Sequence, residues 1–196
     1  MSTKYTPSPT LPRYKCVLAD PPWDIHQKGQ RGAIQHYPLM SLREIKAMPV
    51  GDLVEADSHC WIWVTNATLR HGYDVLEAWG FEPRSPLTWV KTRLGLGSYL
   101  RNMTEHLILG TRGNAPVNFR GQPTWTFAPV QEHSAKPNEQ FAIIERISSG
   151  PYLELFARRP QPGWHAWGNE IDSDIVIPDY PVPSDAKHVR GRESSR

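Results

Sequence analysis

With 196 residues, 39 % hydrophobic, 21 % charged and 19 of them proline, the chain holds enough apolar material for one packed domain and too much for a disordered segment. The prolines weigh against a helical bundle, and no apolar run reaches the ~20 residues of a membrane-spanning helix. A net charge of +2 identifies no partner, but residues 91–120 carry five basic residues against a single acid, Glu105, which reads either as a polyanion-facing surface or as a solvated loop.

In chain order, residues 1–12 hold Pro7, Pro9 and Pro12 among small polar residues and read as a loose tail. The run YKCVLA (Tyr14–Ala19) is a short β-prone segment that stops at Asp20-Pro21-Pro22-Trp23. KGQRGAIQ (Lys28–Gln35) reads as a mobile polar loop. Ser41-Leu-Arg-Glu44 has the form of a capping box, so a helix is expected from there to about Met48. CWIWVT (Cys60–Thr65) is β-branched and aromatic, hence a strand. Leu69, Tyr73, Leu76 and Trp79 sit at helical spacing, with Gly80 as the stop.

Leu87–Lys91 and His106–Leu109 are strand-like, Asn138–Ile147 is a helix with Phe141, Ile144 and Ile147 on one side, and Tyr152–Ala157 is a last clear strand. From Asp172 the chain turns proline-rich and then polar, which predicts an extended or disordered tail over 172–196 around a globular domain of 13–171. Alternating strands and helices predict an α/β layered fold with a largely parallel sheet, binding its ligand beyond the carboxyl ends of the strands.

The first residues show no apolar stretch before a cleavage site, so no secretory signal is visible, and a cytoplasmic setting is expected. Two cysteines without a CxxC make neither a disulfide framework nor a zinc site. Cys16 and Cys60 fall inside strands and read as buried thiols; no metal is expected. Gly95-Leu-Gly97 begins like a dinucleotide fingerprint, but Leu100 stands in the third glycine's place and no suitable helix follows.

The sharpest feature is Asp20-Pro21-Pro22-Trp23, directly after the first strand. Two prolines fix two successive φ angles and remove two amide donors. The expected result is a stiff turn presenting a carboxylate, carbonyls without a local amide, and an indole. That set suits a planar heterocycle with an exocyclic amine, the indole stacking on the ring while the oxygens accept the N–H protons. The same string also reads as a proline-stiffened turn with an Asp cap and a core Trp.

The chain resembles the DPPW-type adenine-N6 methyltransferases, a family that includes the catalytic subunit of the mRNA adenosine methyltransferase and compact bacterial and phage DNA methyltransferases. Separate blocks carry the resemblance in one order: LADPPWDI (Leu18–Ile25), HYPLMS (His36–Ser41), WIWVTN (Trp61–Asn66), TWVKT (Thr88–Thr92), RNMTEHLILGTRG (Arg101–Gly113), EHSAKP (Glu132–Pro137) and the stretch LELFARRPQPGWHAWGNE ending at Glu170. The resemblance implies a Rossmann-like sheet binding S-adenosylmethionine, permuted so that the catalytic motif comes first and the cofactor motif last. It implies catalytic roles for Asp20, Pro21, Pro22 and Trp23, and cofactor contacts from Asp20, Lys136, Arg158, Asn169 and Glu170. It further implies substrate contacts from Tyr37, Arg101, Asn102 and Glu105.

The expected activity is methyl transfer to the N6 amine of adenine in DNA. The alternatives are the same chemistry on RNA, or a catalytically silent nucleic-acid-binding subunit. A homo- or hetero-oligomer fits any of these, and a membrane partner fits none. Larger relatives carry a segment before the first strand that contacts the donor's adenine, whereas here Met1–Pro12 stands in that place.

Overall fold

The computed structural model describes residues 12–24, 39–97, 99–131, 135–177 and 180. Its elements are β1 (Tyr14–Ala19), α1 (Leu42–Ala47), α2 (Val50–Leu53), β2 (Val54–Thr65), α3 (Leu69–Ala78), β3 (Glu82–Lys91), β4 (Thr104–Arg112), β5 (Trp125–Ala128), α4 (Glu139–Ile147), β6 (Tyr152–Leu155) and β7 (Trp164–Trp167). The strands form one seven-stranded sheet in the order β5-β3-β4-β2-β1-β6-β7. β1 runs parallel to β2 and β6, β6 to β7, and β3 to β5; β4 alone is reversed, antiparallel to both β2 and β3. This is a Rossmann-like sheet, parallel but for one strand.

The topology follows from burial. In β1, Cys16 and Leu18 face one side while Val17 and Ala19 face the other, and all four are fully buried. A strand apolar on both faces belongs in the middle of a covered sheet. One face packs under α1, α2 and α3 through Ile45, Leu53, Val75 and Leu76, and the other under α4 through Phe141, Ile144 and Ile147.

β1 is also where the strand order reverses. β2 lies on one side with Ala19 opposite Ile62, and β6 on the other with Ala19 opposite Leu155. A crevice opens at such a switch point beyond the strands' carboxyl ends. The β1–β2 side comes first in the chain and the β6–β7 side last, which is the permuted order.

The expected helix starts and stops are present. The Glu44 amide donates to Ser41 Oγ (3.3 Å), and the Ser41 amide donates to Glu44 Oε2 (2.8 Å). After α3, Gly80 adopts φ 86°, and the Phe81 amide closes back on the Leu76 carbonyl at 2.9 Å. At Gly72 a Cβ would sit 2.5 Å from a methyl of Val64, so α3 lies close on the sheet only because that residue has no side chain.

Three expectations need correction. β2 begins at Val54, six residues before the apolar run, because β1 and β4 pair with its polar first half. The last strand of the reading, Tyr152–Ala157, stops at Leu155, where Phe156 turns to φ 63°. The packed body also continues past residue 171: Ile175 and Ile177 are buried in the core, and Asp174 takes the Ala166 amide on its carboxylate at 2.8 Å. Among the described residues, no helix is long and apolar enough to cross a membrane, and no cluster of His, Cys, Asp and Glu is arranged to hold a metal ion.

Candidate active site

Asp20 is the first residue beyond β1, at the switch point. Its carboxylate Oδ2 receives a hydrogen bond from Lys136 Nζ at 2.8 Å. Lys136 also lies 3.4 Å from Glu105 Oε2, and Glu105 is ion-paired on its other oxygen with Lys91. Four alternating charges thus run from Asp20 at the end of β1 to Lys91 at the end of β3. β4 runs the opposite way, so its second residue, Glu105, reaches the same rim.

The electrostatics of this chain are self-consistent. Burial acting alone would raise the Glu105 carboxyl, but Lys136 and Lys91 outweigh it and hold the group below its ordinary value. Burial likewise works against the Lys136 ammonium, and Asp20 with Glu105 carries it above its ordinary value, while Arg158 acts in the opposite sense. Both groups are therefore charged at neutral pH. The Lys136 ammonium also stands 5.5 Å over the Trp63 ring.

Trp23 is half-buried and anchored at this rim, its indole N–H donating to the Trp63 carbonyl at 3.1 Å. Trp63 is pinned in turn, donating to Gln140 Oε1 of α4 at 2.6 Å. The turn itself differs from expectation in one respect. The Pro21 carbonyl accepts the Trp23 amide at 2.9 Å, and the Pro22 carbonyl accepts the Met40 amide at 2.8 Å. The Pro21 and Pro22 carbonyls are therefore not bare. A carbonyl oxygen has two lone pairs, so Pro21 keeps one acceptor site.

On the β6 side, Phe156 holds a left-handed backbone, which for a bulky residue costs on the order of 1–3 kcal/mol and is retained mostly where function or packing requires it. Its ring meets Trp167 edge-on at 5.3 Å. Gly168 passes so close to Ala157 that a Cβ there would fall 1.9 Å from the Ala157 carbonyl oxygen. This contact joins the loop carrying Arg158 to the loop carrying Asn169 and Glu170. Glu154, on β6 beside Asp20, has its carboxyl raised to about 7 by burial and by the charge of Asp20, against a lowering from Arg159. Arg159 is tied to Asn138 at the start of α4.

Of the site residues read from the sequence, Asp20, Glu105 and Lys136 meet directly, and Trp23 joins them through Trp63. Arg158, Asn169 and Glu170 sit on the two joined loops beyond β6 and β7. Arg101 and Asn102 lie between β3 and β4, away from this group, with Arg101 Nε donating to the Gly95 carbonyl (2.7 Å) and Asn102 to the Leu96 carbonyl (2.6 Å). Tyr37 and the loop Lys28–Gln35 lie outside the described residues. The reading missed Lys91, Trp63, Glu154 and Phe156. Only Lys91 had a signal, as the lysine closing a strand in the basic stretch.

The MT-A70 family matches residues 14–170. The chain belongs to that family. MT-A70 methyltransferases use S-adenosylmethionine as methyl donor.

Among individual relatives, an N(6)-adenosine-methyltransferase MT-A70-like protein of Drosophila melanogaster is 37 % identical over 180 residues, covering 85 % of this chain and 28 % of its own. The N(6)-adenosine-methyltransferase catalytic subunit METTL3 of Homo sapiens is 33 % identical over 189 residues, covering 90 % of this chain and 31 % of its own. The type II methyltransferase M.MunI of a Mycoplasma species is 29 % identical over 199 residues, covering 87 % of this chain and 84 % of its own. The chain thus spans about a third or less of those two eukaryotic relatives and most of M.MunI.

The chemistry of the rim fits the methyl donor of an MT-A70 protein. The donor carries an ammonium, a carboxylate, a sulfonium and ribose hydroxyls. Asp20 and Glu154 supply carboxylates, Lys136 and Arg158 supply cations, and Asn169 with Glu170 supplies hydrogen-bonding groups past Gly168. The close pass of Gly168 over Ala157 keeps those groups together.

Proposed function

We propose that this chain transfers a methyl group from S-adenosylmethionine to the N6 amine of adenine in DNA. The observation that carries the reading is the Asp20 carboxylate, held at the switch point by Lys136 in a stiff Pro-Pro turn of an MT-A70 chain. Adenine's amino nitrogen is a poor nucleophile because its lone pair is delocalised into the ring. Asp20 Oδ and the remaining lone pair of the Pro21 carbonyl would accept hydrogen bonds from the two N–H groups and favour a pyramidal nitrogen with its lone pair directed at the sulfonium methyl; the N–C bond would form as the S–C bond breaks, and one N6 proton would leave to solvent afterwards. Trp23 offers a plane for the purine. The rate then comes from positioning and electrostatics, with no covalent enzyme intermediate.

When bound, the donor supplies an electrophilic methyl on its sulfonium. Lys136 and Arg158 would hold its carboxylate, Asp20 and Glu154 its ammonium, and Asn169 with Glu170 its ribose. Besides holding the donor's carboxylate, Lys136 in this reading fixes the Asp20 carboxylate in the absence of ligand and shares its charge with Glu105. Cys16 and Cys60 are fully buried in strands, and burial pushes both thiols up, so neither serves as a nucleophile.

DNA is favoured by the type II methyltransferase M.MunI, a relative of which this chain covers 84 %. The names of the Drosophila and human relatives favour a second reading, adenosine in RNA. Incubation with labelled donor and either genomic DNA or total RNA, followed by nucleoside analysis, separates them. Label in N6-methyladenine of the DNA digest, lost in Asp20→Ala without loss of fold, is expected. Label confined to RNA, or activity surviving Asp20→Ala, overturns the reading.

A further inference from the structure

Residues 92–97 and 99–103, between β3 and β4, form two arms that bond to each other. The Gly95 amide donates to the Asn102 carbonyl (2.7 Å), and the Asn102 amide donates to the Leu96 carbonyl (3.3 Å). At their base the Lys91 amide donates to the Met103 carbonyl (2.7 Å). A Cβ on Gly97 would fall 1.8 Å from the Leu100 carbonyl oxygen, so the arms turn back on themselves only because that residue is glycine. The extension is thus a built finger.

Its tip is apolar and fully offered to solvent: Tyr99 is 101 % exposed and Leu100 83 %, with Leu94 and Leu96 also exposed. Exposed apolar groups on a hydrogen-bonded projection mark a binding surface. The finger carries Arg93 and Arg101 and no acid from Thr92 to Met103. Cations interleaved with an aromatic and aliphatic tip match a nucleic acid, which presents phosphates and stacked bases together.

The finger also starts at the reactive rim. Its two ends are Lys91 and Glu105, the ion pair that continues through Lys136 to Asp20. Both ends point out of the sheet on Asp20's side, because β3 ends and β4 begins there. The five residue steps from Glu105 to Leu100 can span at most about 17 Å, more than the ~12 Å width of a major groove.

We propose that Tyr99 and Leu100 form a wedge that enters the duplex beside the target adenine and fills the space the base leaves when it swings toward Asp20. The inference rests on the duplex-DNA reading above. An enzyme acting on a base amine must take that base out of the stack, and an apolar wedge stabilises the emptied site. Arg93 and Arg101 hold the neighbouring phosphates.

The test compares the wild type with the Tyr99→Ala/Leu100→Ala double variant on native and on heat-denatured genomic DNA, reading labelled methyl incorporation. The double variant should lose at least tenfold on native DNA and less than threefold on denatured DNA, and Tyr99→Phe/Leu100→Met should recover most of the native-DNA rate. An equal loss on both, or no loss, overturns the wedge while leaving the methyltransferase reading standing. A wild type that labels only RNA overturns both. A shift from dimer to monomer by sedimentation, with the native-to-denatured ratio unchanged, makes the tip a subunit contact and also overturns the wedge.

Discussion

Lys136 is the residue on which the rim balances. It places one ammonium between Asp20 at 2.8 Å and Glu105 at 3.4 Å, and its own charge is supported by both. Lys136→Met keeps much of the side-chain length and removes the charge. Glu105 then keeps only Lys91 of its two lysines, so its carboxyl should rise toward and above its ordinary value. The expected stability loss is about 1–3 kcal/mol, less than for a fully buried pair. Methyl transfer should fall by roughly 10²-fold or more, because the acceptor geometry at Asp20 is lost. Asp20→Asn provides the counterpart, preserving shape while turning one acceptor oxygen into a donor. Steady-state kinetics with denaturation midpoints on both variants checks the pair. Activity retained in Lys136→Met with an unchanged donor KM would mean the ion pair is only structural.

At the scale of elements, the two loops past β6 and β7 act as one unit, because Gly168 lies against the Ala157 backbone and the Ala157 amide donates to the Trp167 carbonyl at 3.0 Å. Gly168→Ala forces these loops apart. Donor KM should rise tenfold or more with a smaller change in kcat, measured together with a melting curve to confirm the fold. Much of this scale was legible in the sequence. The capping box at Ser41 and the Gly80 stop are local chemistry and appear where expected, and the β-prone run Tyr14–Ala19 is a strand over those residues. β5 and β7 were not legible, since four residues each are too few to show a period. The polar start of β2 becomes strand only through its neighbours. Of the site, the Pro-Pro turn and the later basic and polar blocks could be read as separate pieces. That Lys136 closes onto Asp20 across 116 residues of chain could not, because the contact exists only once β1, β4 and the approach to α4 share one rim. The left-handed Phe156 left no mark either, since nothing in the residue type asks for that backbone.

For the whole molecule, the same rim makes stability depend on pH in two opposed ways. Glu105 has a depressed carboxyl, so its contribution is present above the ordinary carboxyl pKa and is lost as pH falls through its lowered value in acid. Glu154 works in the other direction. Its folded value of about 7 lies above the ordinary 4.5, chiefly because it is buried and then because Asp20 is charged beside it, with Arg159 offsetting part of the rise. A raised carboxyl contributes stability that is whole below pH 4.5 and disappears as pH climbs through 7, since the folded protein must then ionise a group that resists it. Glu154→Gln removes that penalty. Near pH 5 the variant should unfold at nearly the same urea concentration as the wild type, and at pH 8 it should be more stable by roughly 1–3 kcal/mol, the upper end being the undiscounted shift. Urea unfolding at the two pH values, with m unchanged, measures this directly. A wild type and variant that keep the same difference at pH 5 and pH 8 would mean that Glu154 ionises as an ordinary carboxylate and that the charge beside Asp20 is already solvated.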